Sequence, residues 1–170
     1  MIEGLFDLFA QFFHSHWGFF AFIAVSVLLV YTFSKHKKVF LISLVLAVLL
    51  SSGMKFVLNE ERPCAEFDSK TLCPSTGGFP SNHAVIGVVL ALGALETALF
   101  FPFLILAFAI AFSRVWIGVH TVPQVAGGFA LGVMVFLAVF QLFQKFRGFG
   151  GEKWDLDVLL DENLLNKTVD

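Results

Sequence analysis

Charge is what this sequence has least of. Its 11 Lys+Arg and 13 Asp+Glu make up 14% of 170 residues, against roughly a quarter in an average soluble domain. The two signs nearly cancel, at a formal net charge of −2, so the basic stripe that tracks a nucleic-acid backbone is absent. A nucleic-acid partner is therefore excluded. The first residues lack the basic n-region and small-residue cleavage site of a secretory signal and carry Glu3 and Asp7 instead, so this segment is expected to stay on the protein. Nor is there length for a separate soluble module beside an intramembrane bundle.

What fills the chain is apolar. Hydrophobic residues are 58% of it, 23 of them phenylalanine, and they fall into long runs: 17–33, 39–58, 84–100, 103–117 and 125–143. Each approaches the ~20 residues that cross a bilayer, which predicts five transmembrane helices. The stretch 84–116, interrupted only by Glu96, would be roughly 50 Å long as one helix, too long for a ~30 Å hydrocarbon core. It must fold back, and Phe100, Phe101 and Pro102 mark the expected turn, since proline is tolerated in the first turn of a new helix. Ahead of the first span, Glu3, Asp7 and Gln11 recur every four residues among Leu and Phe, the pattern of an amphipathic helix in the interface plane. Such a helix is expected to float beside the bundle.

Five spans put the N-terminus, the loop 59–82 and the junction near His120 on one side, with the loop 34–38 and the C-terminus on the other. Lys35, Lys37 and Lys38 in that short loop, with Lys145 and Arg147 after the last span, assign the second side to the cytoplasm. The first side is then extracytoplasmic. It carries both cysteines, Cys64 and Cys73, which an oxidising compartment would join and a reducing one would leave as two packed thiols.

Three polar clusters reach this same side. Lys55 with Arg62 and Pro63 offers a mobile point charge and a planar fork, both suited to phosphate oxygens; the plainer alternative is a snorkelling lysine and an arginine paired with Glu60 or Glu61. Pro80, Ser81, Asn82 and His83 precede the third span, where free N–H groups favour an anion and an imidazole can give up a proton; an ordinary helix cap is the alternative. Ser113, Arg114 and His120 close the fourth span. Arginine directly after an uncharged run is costly unless it faces water, a partner or an anion, and interfacial snorkelling is its plainer alternative. Together they supply the cations, donors and two histidines that phosphoryl transfer requires, one histidine to attack phosphorus and one to protonate the departing oxygen. This scheme calls for no metal and no cofactor.

The three clusters, reading KFVLNEERP, PSNH and SRVWIGVHTVPQ, resemble the type 2 phosphatidic acid phosphatase superfamily, whose pattern is Lys-x6-Arg-Pro, Pro-Ser-Gly-His and Ser-Arg-x5-His-x3-Asp. The resemblance covers Lys55 to about Gly132. It implies that Lys55, Arg62, Ser81, Asn82 and Arg114 hold phosphate, that His83 is the general acid, and that His120 is the nucleophile of a phosphohistidine. Two positions depart from the pattern. Asn82 replaces glycine, which asks whether the backbone there can still present its N–H. Gln124 replaces the aspartate that orients the nucleophilic histidine, and in a serine-protease triad the analogous loss costs ~10⁴ in turnover.

The segment HTVPQV is similar to the His-Thr-x-x-Gln-Val version found in dolichyl diphosphate phosphatases of the superfamily. That resemblance implies a polyprenyl diphosphate whose terminal phosphate is removed on the luminal or extracellular face. Alternatives are a phosphatase for another lipid phosphate, such as phosphatidate or phosphatidylglycerol phosphate, or a non-catalytic lipid-phosphate binding or transport protein. The expected organisation is an all-α integral membrane bundle: an interfacial helix at 1–16, a five-span phosphatase domain at 17–147 and a short acidic cytoplasmic tail at 148–170. Glu96 is expected near the cytoplasmic end of the third span, and Gly128 with Gly132 forms a GxxxG step for close helix packing.

Overall fold

The computed structural model describes residues 2–148, so the acidic tail lies outside the described residues apart from Gly148. Every element there is helical: α1 (Ile2–His14), α2 (His16–Phe33), α3 (Lys37–Leu58), α4 (Pro63–Glu66), α5 (Asn82–Gly93), α6 (Phe100–Trp116) and α7 (Val122–Gly148). The chain forms two compact units, Met1–Val139 and Phe140–Asp170. The first holds every residue of the candidate site, and the described part of the second is the C-terminal end of α7.

Three helices, α2, α3 and α7, are long and apolar enough to cross a membrane; α5 and α6 are apolar but shorter. Large apolar side chains stand exposed along α2 and α3, among them Phe20, Leu28, Val45, Leu49 and Phe56, as lipid-facing positions require. The opposite pattern marks α5. Its residues Ala84 to Ala91 are all buried, the property of a helix apolar all round, and it packs against α2, α3 and α6.

The third apolar run ends earlier than its composition suggests. α5 stops at Gly93 and not near Phe100, because the amide of Ala94 is shared between the carbonyls of Leu90 and Ala91 and the chain tightens into i→i+3 turns through Thr97. Glu96 sits in this turn with a left-handed φ of 69°. Its carboxylate reaches Lys35 Nζ at 3.2 Å and His36 Nε2 at 3.6 Å, so the charge that breaks the apolar run is paired with the lysine loop. Phe100 to Pro102 already belong to the first turn of α6. The same ion pair sets the α5–α6 turn beside the α2–α3 loop, at one end of the bundle.

The N-terminal helix does not float. Ala10 is fully buried against Ile117 and Val119. Asp7 accepts from Trp116 Nε1 at 2.7 Å and Lys70 Nζ at 2.9 Å, bonds that hold its carboxyl below the usual range. A small residue on its inner face and a carboxylate at its flank dock α1 on α6, while Leu5, Leu8 and Phe12 remain exposed.

Gly128 and Gly132 pack within the bundle, on α5. A Cβ at Gly128 would lie 2.6 Å from the Ser81 carbonyl and 2.9 Å from Ala84 Cβ, whereas one at Gly53 would meet nothing within 4 Å. Gly128→Ala is therefore expected to force α7 off α5, at about 1–3 kcal/mol of overpacking. Its melting temperature in detergent should fall by several degrees while that of Gly53→Ala stays near wild type; equal melting temperatures would contradict the close contact.

Candidate active site

Each cation of the three motifs is buried. Lys55 stands one turn before the end of α3, and its Nζ donates to the Gly77 carbonyl at 2.9 Å. It does not snorkel. Arg62 precedes α4 and donates from Nε to the Thr76 carbonyl at 2.7 Å, from Nη1 to the Val119 carbonyl at 3.0 Å, and from Nη2 to Thr76 Oγ1 and the Gly77 carbonyl at 3.2 Å each. None of these partners is Glu60 or Glu61. Arg114, in the last turn of α6, is 0% exposed. Its guanidinium bonds Ser113 Oγ and, from Nη2, the Ala10 carbonyl at 2.6 Å, leaving Nη1 with no partner among the described residues.

Between Arg62 and the Thr76 and Gly77 carbonyls, a Cys64–Cys73 disulfide with Cα atoms 5.5 Å apart closes residues 64–73. Farther along the chain, Ser81 opens α5 without capping it. Its hydroxyl and Asn82 Oδ1 are buried with no partner among the described residues, and the first amides of α5 have no carbonyl behind them in the helix. Asn82 takes an ordinary backbone conformation, since among the described residues only Asn59 and Glu96 are non-glycine with positive φ. Replacing glycine with asparagine here costs no strain. His83 donates from Nε2 to the Phe13 carbonyl at 3.0 Å, and the Phe19 ring covers it with centroids 3.9 Å apart.

His120 lies between α6 and α7, and its state follows from Gln124. Thr121 caps α7: Gln124 N–H donates to Thr121 Oγ1 at 3.3 Å, and Thr121 N–H donates to Gln124 Oε1 at 3.1 Å. This reciprocal pair is a capping box. On its other side the Gln124 amide meets only acceptors, Glu60 Oε1 at 2.8 Å and the Glu61 carbonyl at 3.0 Å. A backbone amide can only donate and a carbonyl only accept, so the amide has one permissible orientation, Oε1 toward Thr121 and Nε2 toward Glu60 and Glu61.

The same oxygen lies 3.1 Å from His120 Nδ1, so Nδ1 must carry the proton. Nε2 then keeps its lone pair, and it receives Arg62 Nη1 at 3.1 Å. Burial, with Arg62 and Lys55 nearby, pushes the His120 pKa down to about 3. The imidazole is neutral at physiological pH, with its free nitrogen facing a cation that an incoming anion can draw away.

One cavity of about 790 Å³ joins these groups. Lys55, Arg62, Asn82, His83, Arg114 and His120 line its polar end, and Phe19, Phe20, Ile23, Leu44, Val48 and Ile86 extend it along α2, α3 and α5. Ser81 and Gln124 stand just behind, bound to each other through Ser81 N–H and the Gln124 carbonyl at 3.0 Å. All eight candidate residues are thus assembled around one centre. Sequence reasoning weighed Glu60 only as a partner of Arg62, and it passed over the Thr76–Gly78 carbonyls, the α1 carbonyls of Ala10 and Phe13, and the role of Thr121. Only the last had a local signal, Thr-x-x-Gln ahead of an apolar run.

The fold and the site define an all-helical integral membrane protein whose buried cations and histidines converge on one cavity. The chain belongs to the PAP2 superfamily, whose model matches residues 36–147. A crystal structure described as the first transmembrane PAP2-type phosphatidylglycerolphosphate phosphatase, from Bacillus subtilis, superposes with a TM-score of 0.61. It is 22% identical and covers 83% of this chain and 77% of that one, a likeness of fold. The bacitracin transport permease protein BcrC of Bacillus licheniformis is 42% identical over 36% of this chain and 32% of its own. The match therefore spans about a third of that relative's length.

The assigned tautomer is open to measurement. With a pKa near 3, His120 should give the ¹⁵N pattern of a neutral, Nδ1-protonated ring from pH 5 to 8 in protein labelled at histidine. An imidazolium pattern appearing in that range would contradict the burial and cation contacts described above.

Proposed function

We propose that the protein is a membrane lipid phosphatase that removes the terminal phosphate of a polyprenyl diphosphate through a phosphohistidine on His120. The observation that carries this reading is the single-tautomer imidazole, its free Nε2 facing Arg62 in a cavity that also presents an apolar wall of Phe19, Phe20, Ile23, Leu44, Val48 and Ile86. A phosphate enters by displacing carbonyls from Lys55, Arg62 and Arg114, and it gains the Ser81 hydroxyl and the first amides of α5. The apolar slot is suited to the hydrocarbon next to the headgroup.

In the reaction, the His120 Nε2 lone pair forms a bond to the terminal phosphorus as the bond from phosphorus to the bridging oxygen breaks, and His83, acting from its imidazolium form, gives that oxygen a proton and becomes neutral. Neutral His83 then accepts a proton from water as the water oxygen attacks phosphorus. Inorganic phosphate leaves and His120 returns to its neutral state. Three cations and the α5 amides offset charge on the equatorial oxygens. No step needs a metal. A diphosphate leaves more readily than a simple alkoxide, which suits a histidine oriented by an amide.

The HTVPQV segment supports a dolichyl- or undecaprenyl-type lipid over phosphatidate or phosphatidylglycerol phosphate. The proposed arrangement is an interfacial helix, five spans over 17–147 and a cytoplasmic tail. The lysine loop beside Glu96 faces the cytoplasm, and the site opens on the extracytoplasmic side.

The test is phosphate release in detergent from farnesyl and undecaprenyl diphosphates, phosphatidate and phosphatidylglycerol phosphate, with EDTA present. Isoprenyl diphosphates should be preferred, and His120→Ala should lower turnover by at least about 10³-fold. Undiminished release by His120→Ala would remove the nucleophile assignment. Tight lipid-phosphate binding with no release by the wild type would make the protein a binder.

A further inference from the structure

The cavity, the α1 contacts and the apolar faces of α2 and α3 all belong to the site or to the membrane. Of the titratable groups near the site that have no part in the mechanism above, which include His14 and His16, Glu60 is the one bonded to the Gln124 amide. Glu60 is one residue past Asn59, which ends α3 in a left-handed conformation with φ 41° and donates its N–H to the Lys55 carbonyl at 3.1 Å. The Glu60 carbonyl accepts from Gly78 N–H at 2.7 Å, so its backbone is fixed at both sides. Its carboxylate is exposed to solvent on one side and takes Gln124 Nε2 at 2.8 Å on the other.

Gly78 makes that contact possible, since a Cβ there would lie 2.5 Å from Gln124 Nε2. Arg62 spends its donors on Thr76, Gly77, Val119 and His120, and Lys55 spends its ammonium on Gly77 and Gly78. The described partner of the Glu60 carboxylate is therefore the Gln124 amide, whose oxygen faces His120 Nδ1.

We propose that Glu60 is a positioning residue that restores, through the Gln124 amide, the negative charge an aspartate would place beside His120. The inference rests on the reading of His120 as nucleophile. When Nε2 bonds to phosphorus the ring becomes positive while Nδ1 keeps its proton. The carboxylate polarises the Gln124 amide so that Oε1 is a stronger acceptor for that proton, and hydrogen bonds in such a chain reinforce one another. No proton reaches Glu60. An aspartate at position 124 would instead set a second carboxylate against Glu60 Oε1 and the Glu61 carbonyl, and the glutamine with its one donating face fits these neighbours.

Glu60→Gln in the full-length protein removes the charge and keeps an acceptor of the same shape. With farnesyl diphosphate it should lower kcat about tenfold with KM little changed, because the charge acts on the transition state more than on binding. Gln124→Asp should abolish or reverse the effect: in that background Glu60→Gln should no longer lower kcat and should raise it where carboxylate repulsion is relieved. In ¹⁵N-histidine-labelled protein, Glu60→Gln should move the His120 Nδ1 proton resonance upfield.

A normal kcat in Glu60→Gln, the same fold-loss in both backgrounds, or an unmoved Nδ1 resonance would each overturn the relay. The spectrum needs no turnover. A wild type without phosphatase activity whose Nδ1 resonance still answers to Glu60 would remove the proposed function and leave the relay standing.

Discussion

Three cations held out of water, with no carboxylate ion-paired to them among the described residues, are the constraint around which this structure is organised. Lys55 and Arg62 are 8% exposed and Arg114 is 0% exposed. Among the described residues, the ion pairs join Glu96 to Lys35 and His36 and Asp7 to Lys70, all away from this cluster. Burying a charge unpaired costs several kcal/mol even after relaxation. The protein meets that cost with backbone carbonyls, which offer dipoles without cancelling the charge. The segment 76–78 serves Lys55 and Arg62, Val119 serves Arg62 as well, and the end of α1 serves Arg114. A carboxylate here would satisfy the cations too well, since an incoming phosphate would have to break a charged pair to bind.

Gln124 shows how one side chain can answer several demands together. It closes the first turn of α7, fixes the proton on His120 Nδ1, and ties the 60–61 segment to the bundle. An aspartate could orient the imidazole but could not donate to Glu60 or the Glu61 carbonyl. Its substitution looks like a loss only while position 124 is compared with one partner. Beside the acceptors that reach it from α3's end, the amide is the group with the right face on each side.

The motifs were legible because their chemistry is local. Lys55, Arg62, Ser81, Asn82, His83, Arg114 and His120 stood out as polar groups in an apolar chain, and all now line or border one cavity. The limits of α2 and α3 also followed directly from their apolar runs. The end of α5 did not, because Glu96 reads as one tolerable charge until Lys35 is placed beside it. The docking of α1 was hidden for a related reason. An amphipathic helix shows in its sequence which face is apolar and says nothing of what its C-terminal carbonyls touch. Glu60 was hidden by distance, since its partner lies 64 residues away.

The carbonyls of Ala10 and Phe13 add one more consequence to the way these cations are held. They bind Arg114 and His83, one candidate phosphate ligand and the candidate acid. At the C-terminal end of a helix the carbonyls carry a partial negative charge, so α1 presents to the site a weak version of the anion proposed to enter it. A phosphate with full charge makes shorter and roughly twofold stronger bonds to a guanidinium than a neutral acceptor does. It can take Arg114 from Ala10 without the protein ever holding that arginine bare. His83 Nε2 holds the Phe13 carbonyl in the same way, so on the proposed reading a bridging oxygen would have to take that proton from Phe13. One short helix end thus touches both the arginine proposed to hold phosphate and the histidine proposed as the acid.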